Sequence, residues 1–228
     1  MKKTTRFLST ALLLAALTVN AQDKEPFLPN TFRMQAGYTL TGTAKQNFSP
    51  WGKDYNSKLM GGMIVELDYA RLWKQRSHSD RAFGIGMKYQ MVKLKSDEYG
   101  LAETTDRVKD RPITHYIAPQ FARSYQIAPK LYNTINIGVG YMYYYNDGKK
   151  NGKSCVTKGS GFGINWGLDL EYRMLPSVGF AVDVNYTYSG FGKLHQTYEG
   201  QKTTVELNSD YEFRPSHLDF MFSIRYHW

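Results

Sequence analysis

Apolar and polar residues alternate along the closing segment of the chain, SHLDFMFSIRYHW. Every second residue from Leu218 to Trp228 is apolar, and most of the residues between them are polar. A period of two places successive side chains on opposite faces of an extended strand. The same alternation recurs in residues 161–173 (GFGINWGLDLEYR) and 178–188 (VGFAVDVNYTY). These three segments therefore predict strands that have one apolar and one polar face.

Five further segments have a strand-like pattern, which brings the predicted number of strands to eight. They lie near residues 32–42, 59–73, 82–93, 112–123 and 131–145. Most of the eight have about the 9–11 residues that a tilted strand needs to cross a bilayer.

The connections between the predicted strands alternate between long and short. In chain order they cover residues 43–58, 74–81, 94–111, 124–130, 146–157, 174–177 and 189–216. This alternation is typical of an up-and-down barrel that has long loops at one end and tight turns at the other. The last connection has room for a small hairpin with its turn at 199–202, whose arms are too short and polar to cross a membrane.

Apolar and polar residues alternate along the strands of two kinds of barrel. One is a soluble barrel with an apolar interior, and the other is a membrane barrel with a polar interior. The polar face is rich in glycine, and glycine makes room in the narrow interior of an eight-stranded barrel. The apolar face carries aromatic residues near the strand ends, where Tyr and Trp favour the boundary between lipid and water. They are Tyr141, Tyr143 and Tyr145 at one end and Tyr69, Trp73 and Tyr172 at the other. The pattern favours a membrane barrel, although a sugar-binding platform would also use a cluster of tyrosines.

The apolar face of the final strand resembles that of a known family. Its residues are Phe220, Phe222, Ile224, Tyr226 and Trp228. They resemble the closing strand of bacterial outer-membrane barrels, and about residues 30–228 resemble the small OmpA/OmpX-type barrels, also called the outer-membrane β-barrel domain family.

This resemblance implies an all-β fold, namely an eight-stranded antiparallel up-and-down transmembrane β-barrel with short periplasmic turns and long extracellular loops. It implies that the last strand pairs with the first, so that no open edge meets lipid. It also implies that these five residues form an assembly signal, which the barrel-assembly machinery recognises during biogenesis.

The N-terminal residues have the features of an export signal. Lys2, Lys3 and Arg6 precede an apolar run from Phe7 to Val19, and small residues follow. We predict a signal peptide at 1–21, cleaved near Ala21, because this order is typical of secretory signals. A short periplasmic segment at 22–30 and an integral barrel at 31–228, in the outer membrane of a diderm bacterium, would follow.

Charge and cysteine content limit the partners of such a chain. The formal net charge of +9 falls by three, to +6, when the three basic residues of the predicted signal peptide are removed. In an exported chain this favours anionic lipid headgroups as partners, and not nucleic acid. Cys155 is the only cysteine, so no intramolecular disulfide is possible, and we interpret it as an incidental loop residue.

Ten charged residues collect on the polar faces of the predicted strands. They are Arg33, Glu66, Asp68, Lys88, Asp169, Glu171, Arg173, Asp183, Asp219 and Arg225. An isolated buried ion is very costly, so we expect these six acids and four bases to pair across the lumen. Two interpretations remain open: a polar plug that blocks conduction, and a narrow ion path as in a small porin-like channel.

Candidate catalytic residues are few. His115 lies by alternation on the apolar face, where it could act as a general base in a barrel enzyme that modifies lipid A or phospholipid. Lipid A deacylase barrels, which resemble this placement, have a serine two residues after their histidine, but this chain has Ile117 there. His217 and Asp219 share a face next to Ser216, which the alternation points to the other face. We therefore predict no catalytic, cofactor or metal site, with a lipid-modifying enzyme as the second alternative.

The predicted loops point to function at the cell surface. Loop 146–157 carries Lys149, Lys150 and Lys153 against a single acid, and we expect these lysines to contact lipopolysaccharide phosphates. The sequence thus predicts a non-enzymatic outer-membrane barrel with a plugged lumen and an envelope-structural or surface-interaction role. Its expected partners are outer-membrane lipid and lipopolysaccharide, the assembly machinery, and an unidentified protein at the loops.

Overall fold

The computed structural model describes residues 27–41, 59, 61–74, 80–94, 96–101, 105–207 and 213–228. Eleven strands lie in this part of the chain, and none of its helices is long and apolar enough to cross a membrane. The strands are β1 (Asn30–Thr41), β2 (Gly61–Lys74), β3 (Arg81–Leu94), β4 (Tyr99–Gly100), β5 (Arg107–Lys109), β6 (Pro112–Ala128), β7 (Leu131–Lys150), β8 (Lys153–Leu175), β9 (Val178–Tyr198), β10 (Gln201–Glu206) and β11 (His217–His227). The predicted signal peptide, residues 22–26 and the predicted loop 43–58 lie outside the described residues.

Eight of these strands form a closed ring of antiparallel pairs. The order around the ring is β1, β2, β3, β6, β7, β8, β9 and β11, and β11 pairs again with β1. The closing pair runs from Thr31 opposite His227 to Thr41 opposite His217. The predicted eight-stranded up-and-down barrel is confirmed, and no strand of the ring has an open edge.

The two ends of the barrel have different connections. The turns after β6 and β8 lie at one end, which we call the short-turn end, together with Asn30 and Trp228. At the other, the long-hairpin end, Asn151–Gly152 joins β7 to β8 and Glu199–Gly200 joins β9 to β10. All four of these residues have positive φ, which is the geometry of the tight turns that match the twist of paired strands. The small hairpin expected between residues 189 and 216 is present.

Every predicted connection that has described residues is partly strand, which corrects the predicted bounds; residues 124–128, for example, continue β6. Residues 146–157 are not a loop, because β7 continues to Lys150 and β8 begins at Lys153. Residues 189–198 continue β9, and β4 and β5 lie within the predicted loop 94–111. The prediction ended each strand where the apolar face became polar. The backbone ladder continues past that point because it needs no apolar side chains.

The interior of the barrel is layered, with apolar clusters at both ends and charged residues between them. At the short-turn end, Leu72 packs with Ala70, Ala82, Ala122 and Phe27. Two clusters lie toward the long-hairpin end. One contains Leu59, Ile64, Val92, Leu94, Val108 and Met221, and the other contains Tyr116, Ala118, Met142, Tyr144, Phe191, Leu194 and Phe213.

Glycine on the inner face allows neighbouring strands to approach closely. A Cβ atom added to Gly86 would lie 1.9 Å from the Tyr69 carbonyl oxygen, and one added to Gly140 would lie 2.1 Å from that of Ile117. No side chain fits at such distances, so these positions require glycine for steric reasons.

Candidate functional site

All ten charged residues assigned to the polar faces lie inside the barrel. Each is at most 3% exposed, because the strands keep the two-residue alternation and turn every second side chain inward. The apolar residues between them point outward, which gives the molecule a polar interior and an apolar exterior over the same strands.

Arg225 on β11 makes the largest set of ionic contacts. Its guanidinium nitrogens lie 2.7 Å from Asp169 and 2.6 Å from Asp183, and a third carboxylate, Glu171, lies 3.5 Å away. The hydroxyl of Ser223 donates to Asp183 over 2.7 Å. One cation therefore neutralises carboxylates from both β8 and β9.

A second arginine connects opposite walls of the barrel. Arg33 on β1 contacts Asp68 on the neighbouring β2 at 2.8 Å and Asp169 on the distant β8 at 3.0 Å. Asp169 is thus shared by Arg33 and Arg225, so the ionic network crosses the lumen.

Lys88 and Glu66 form the next layer toward the long-hairpin end. Their charged atoms are 3.1 Å apart, and Lys88 also donates to the side-chain oxygens of Asn136 and Asn165. Glu66 accepts further hydrogen bonds from side-chain amides on three other strands. The donors are Gln35 at 2.6 Å, Gln90 at 2.5 Å and Asn185 at 3.1 Å.

Two histidines contact acids of the lumen, in addition to the ten charged residues that the sequence predicts there. His227 Nε2 lies 2.6 Å from Glu171 and its Nδ1 lies 2.9 Å from Thr31, while His217 Nδ1 lies 2.8 Å from Asp219. The alternation of the last strand places both on the inner face, so the signal was available. They provide hydrogen-bonding partners for two of the six acids.

Ser216 differs from its predicted orientation. It is fully buried, and its hydroxyl accepts the backbone N–H of Ser189 at 3.3 Å. The alternation of β11 does not extend to Ser216 because the strand begins at His217.

Little open space remains at the short-turn end of the lumen. The cavity there measures about 10 Å³, which is room for about one water molecule. Arg33, Arg173 and Arg225 are among its lining residues. Phe27, from the segment before β1, packs edge-on against Tyr132 with ring centroids 5.4 Å apart and narrows this end further.

Above the charged layers, β7, β8 and β9 continue as a sheet that β10 and β5 extend on either side. Its inner face is aromatic. The Phe213 ring lies 4.7 Å from Tyr144 and 5.2 Å from Phe191, and Leu194 packs in the same cluster with no exposed surface. This aromatic core covers the long-hairpin end of the lumen on the side of β7 to β9.

The three lysines expected to contact lipopolysaccharide lie at the tip of the β7–β8 hairpin. Lys150 forms a 2.7 Å ion pair with Asp106, and Lys153 pairs with Glu199. Lys149 is exposed. Two of the three cations therefore already have an acidic partner within the protein.

His115 lies on the outer surface, as the alternation predicted. Its Nδ1 is 2.8 Å from the Tyr89 hydroxyl, and its ring is 6.4 Å from that of Tyr143. Residue Ile117, two positions later, is half exposed on the same face. Among the residues with described positions, no cluster of three or more His, Cys, Asp or Glu is arranged to hold a metal ion.

Cys155 is not a loop residue. It lies in β8 with 2% of its surface exposed. Burial raises the pKa of its thiol, so the thiolate is disfavoured in this position.

The residues of the expected assembly signal all point outward from β11. Phe222 is the most exposed, at 76%, and the other four lie above and below it. Tyr226 stacks on Trp228 with ring centroids 5.5 Å apart, and Trp228 lies 6.1 Å from Tyr69. These outward aromatic residues continue across the pair that closes the barrel.

A closed antiparallel ring with a charged interior and an apolar exterior defines a transmembrane β-barrel. The sequence agrees with this class, because residues 9–213 match the family model described as Outer membrane protein beta-barrel domain. The chain belongs to this family, which locates it in the bacterial outer membrane. Barrels of this class have short periplasmic turns and longer extracellular loops, which assigns the short-turn end to the periplasm and the long-hairpin end to the cell exterior. No curated protein matches the sequence at significant similarity.

Solved structures with a similar fold come from several bacteria. A major outer membrane protein from Thermus thermophilus has 13% identity and a TM-score of 0.53, over 87% of this chain and 99% of that one. OprG from Pseudomonas aeruginosa has 12% identity and a TM-score of 0.50, over 90% and 100%. The outer membrane protease OmpT from Escherichia coli has 6% identity and a TM-score of 0.52, over 92% and 98%. At these identities the likeness shows the fold alone.

Proposed function

We propose that this protein is a non-enzymatic, integral component of the outer membrane whose lumen is sealed and whose extracellular sheet provides its working surface. It would support the envelope or present this sheet to a partner. The single observation that carries the proposal is the ionic network, in which Arg33 and Lys88 each contact a strand three places away around the ring and Arg225 joins β11 to β9 and β8.

The network supports a plug for two reasons. Each cation is held by more than one partner, so opening a path would break several charge-assisted hydrogen bonds at once. The cavity of about 10 Å³ beneath the network is too small for a hydrated ion.

The extracellular strands support a role at the surface. A loop that only closed a barrel would not need an aromatic core of its own, whereas Tyr144, Phe191 and Phe213 give this sheet a fixed shape. A rigid surface loses little conformational entropy when it binds a partner. We also retain the proposals that the five outward residues of β11 form the assembly signal and that the hairpin-tip lysines contact lipopolysaccharide phosphates, in this case those of the saccharide chain that extends outward from lipid A.

Conductance across a planar bilayer tests the plug. Protein purified from outer membranes and shown to be folded should give no stable current steps. Steps whose size changes in Arg225→Ala or Asp183→Ala would show that the lumen conducts. That result would replace the proposal by its alternative, a small porin-like channel, which the charged lumen favours.

A further inference from the structure

The strand register aligns two rows of mostly polar side chains on the outer surface, just above the apolar band; Met91 and Ile113 are their apolar members. Met91, His115, Tyr143 and Ser160 lie side by side on β3, β6, β7 and β8. One step further from the membrane, the next row contains Lys93, Ile113, Tyr145, Lys158 and His195, from β3 to β9. The row below them is apolar and aromatic, and includes Tyr141 and the strongly exposed Phe162.

The first of these rows lies at the level of the lipid headgroups, and the second lies just above it. Lys158 is four residues beyond Phe162 along β8, which is about 13 Å along the strand and about 10 Å above the apolar band at the usual strand tilt. Lys153, at the hairpin tip, is nine residues beyond Phe162, or about 23 Å above the band by the same estimate. The headgroup region is only about 5–8 Å thick on each side of a bilayer, so Lys158 adjoins it and the tip does not.

The side chains of these rows present cations and hydrogen-bond donors without acids. Lys158 Nζ lies 5.6 Å from the centroid of the Tyr145 ring, and His115 is oriented by Tyr89 and Tyr143. The two rows contain two lysines and two histidines, and no carboxylate is among their members. This differs from the hairpin tip, where Asp106 forms an ion pair with Lys150 and Glu199 forms one with Lys153.

We propose that this surface binds the phosphate group of a phosphorylated outer-leaflet lipid. The site, which we call the girdle site, consists of Tyr143, Tyr145, Lys158, Ser160 and His195. Lys158 and His195 are direct cross-strand neighbours on one face and would contact the phosphate, with the Ser160 hydroxyl as a further donor. Tyr143 and Tyr145 would contact the sugar or glycerol part of the headgroup, and Phe162 would pack against an acyl chain.

Native mass spectrometry of the detergent-solubilised full protein tests this site, with diphosphoryl lipid A as the probe. Lys158→Gln should weaken binding about fivefold, the effect of one lysine near an anionic lipid, and the double variant K158Q/H195N should weaken it further. Lys158→Arg should retain binding, because the charge is kept. The matched control is the hairpin-tip variant K149Q/K150Q/K153Q, which should bind as the wild type does.

Four results would overturn the proposal. Wild-type affinity in K158Q/H195N would show that these residues do not bind the lipid. Equal binding of dephosphorylated lipid A would show that the phosphate is not recognised. Competition by inorganic phosphate alone would identify a free-anion site. Loss of binding in the tip variant with retention in K158Q/H195N would assign the lipid contact to the hairpin tip. Each variant is first checked for the shift in gel mobility on boiling that folded barrels show, and none of these results depends on whether the lumen conducts.

Discussion

The transmembrane part of the barrel and the extracellular sheet above it use the same alternation with opposite polarity. Along β7 the inner face changes from polar to aromatic, from Asn136 to Tyr144, and both of these residues are buried. The outer face of the same strand changes from the apolar Ile137 to the exposed Lys149. The change occurs near Tyr141, where the outer surface passes from lipid to water.

This inversion shows that the solvent around each segment, and not the strand itself, decides which face is apolar. In lipid the apolar side chains need no burial, so the interior can hold charges that satisfy one another. In water the same strands must bury their apolar side chains against one another, as in any soluble sheet. The two regions should therefore respond differently to substitution of their inner residues.

The largest effect is expected from Arg225→Met in the transmembrane part. Loss of this cation leaves Asp169, Asp183 and Glu171 with an uncompensated buried charge, which should reduce the free energy of unfolding by about 3–5 kcal/mol. Urea unfolding in lipid vesicles, followed by tryptophan fluorescence, measures this. Arg123→Met, which changes an exposed arginine on β6, is the control. Equal stability of the two variants would mean that the ionic network does not stabilise the barrel.

A smaller and local effect is expected from Phe213→Ala in the extracellular sheet. Removal of this ring from its contacts with Tyr144 and Phe191 should cost about 3 kcal/mol, confined to the strands above the membrane. Hydrogen exchange should become faster in β10 and the outer part of β9, and stay slow in β1 and β11. Lys202→Gln, on the exposed outer face of β10, should change neither. Faster exchange throughout the barrel would contradict the separation of the two regions.

The substitution Gly152→Ala should lower the free energy of opening of the β7–β8 turn by about 1 kcal/mol. Gly152 has φ of +78° and no atoms within 4 Å of an added Cβ, so Gly152→Ala acts only through backbone strain. Gly192→Ala is the matched control, because Gly192 has equal space without a positive φ. Hydrogen exchange at the hairpin tip should increase in the first variant and not in the second. The same change in both would exclude turn geometry as the cause.

The smallest effect concerns the thiol of Cys155, whose burial should slow its alkylation. Because burial raises its pKa, less thiolate is present at a given pH, and alkylation by iodoacetamide should be slow and should increase only at higher pH. The comparison is the double variant Ser154→Cys/Cys155→Ser, which moves the thiol to the exposed neighbouring position. Its thiol should react faster than that of the wild type, and at lower pH. Equal rates would indicate that the outer part of β8 opens readily.

Much of the barrel was predictable because inward and outward side chains alternate regularly along each strand. The number of ring strands and the inner position of residues such as Asp169 follow from period two alone. The outer ends of β7, β8 and β9 were missed because the polarity of the two faces inverts at the membrane surface, and an apolar-face criterion then ends the strand too early. The alternation placed His217 beside Asp219 and His227 on the inner face, but neither was predicted as a lumen partner because a histidine carries no fixed charge.

The sequence by itself determined which face of each strand a residue occupies, because a strand has only two faces and the pattern repeats every two residues. Only the tertiary structure decided which groups meet. Arg33 and Asp169 are 136 residues apart, and they become partners because closure of the ring brings β1 and β8 to opposite sides of one narrow lumen. The row that joins Lys158 and His195 likewise exists only in the register of paired strands, since hydrogen bonding between strands sets their relative height and no local pattern encodes it.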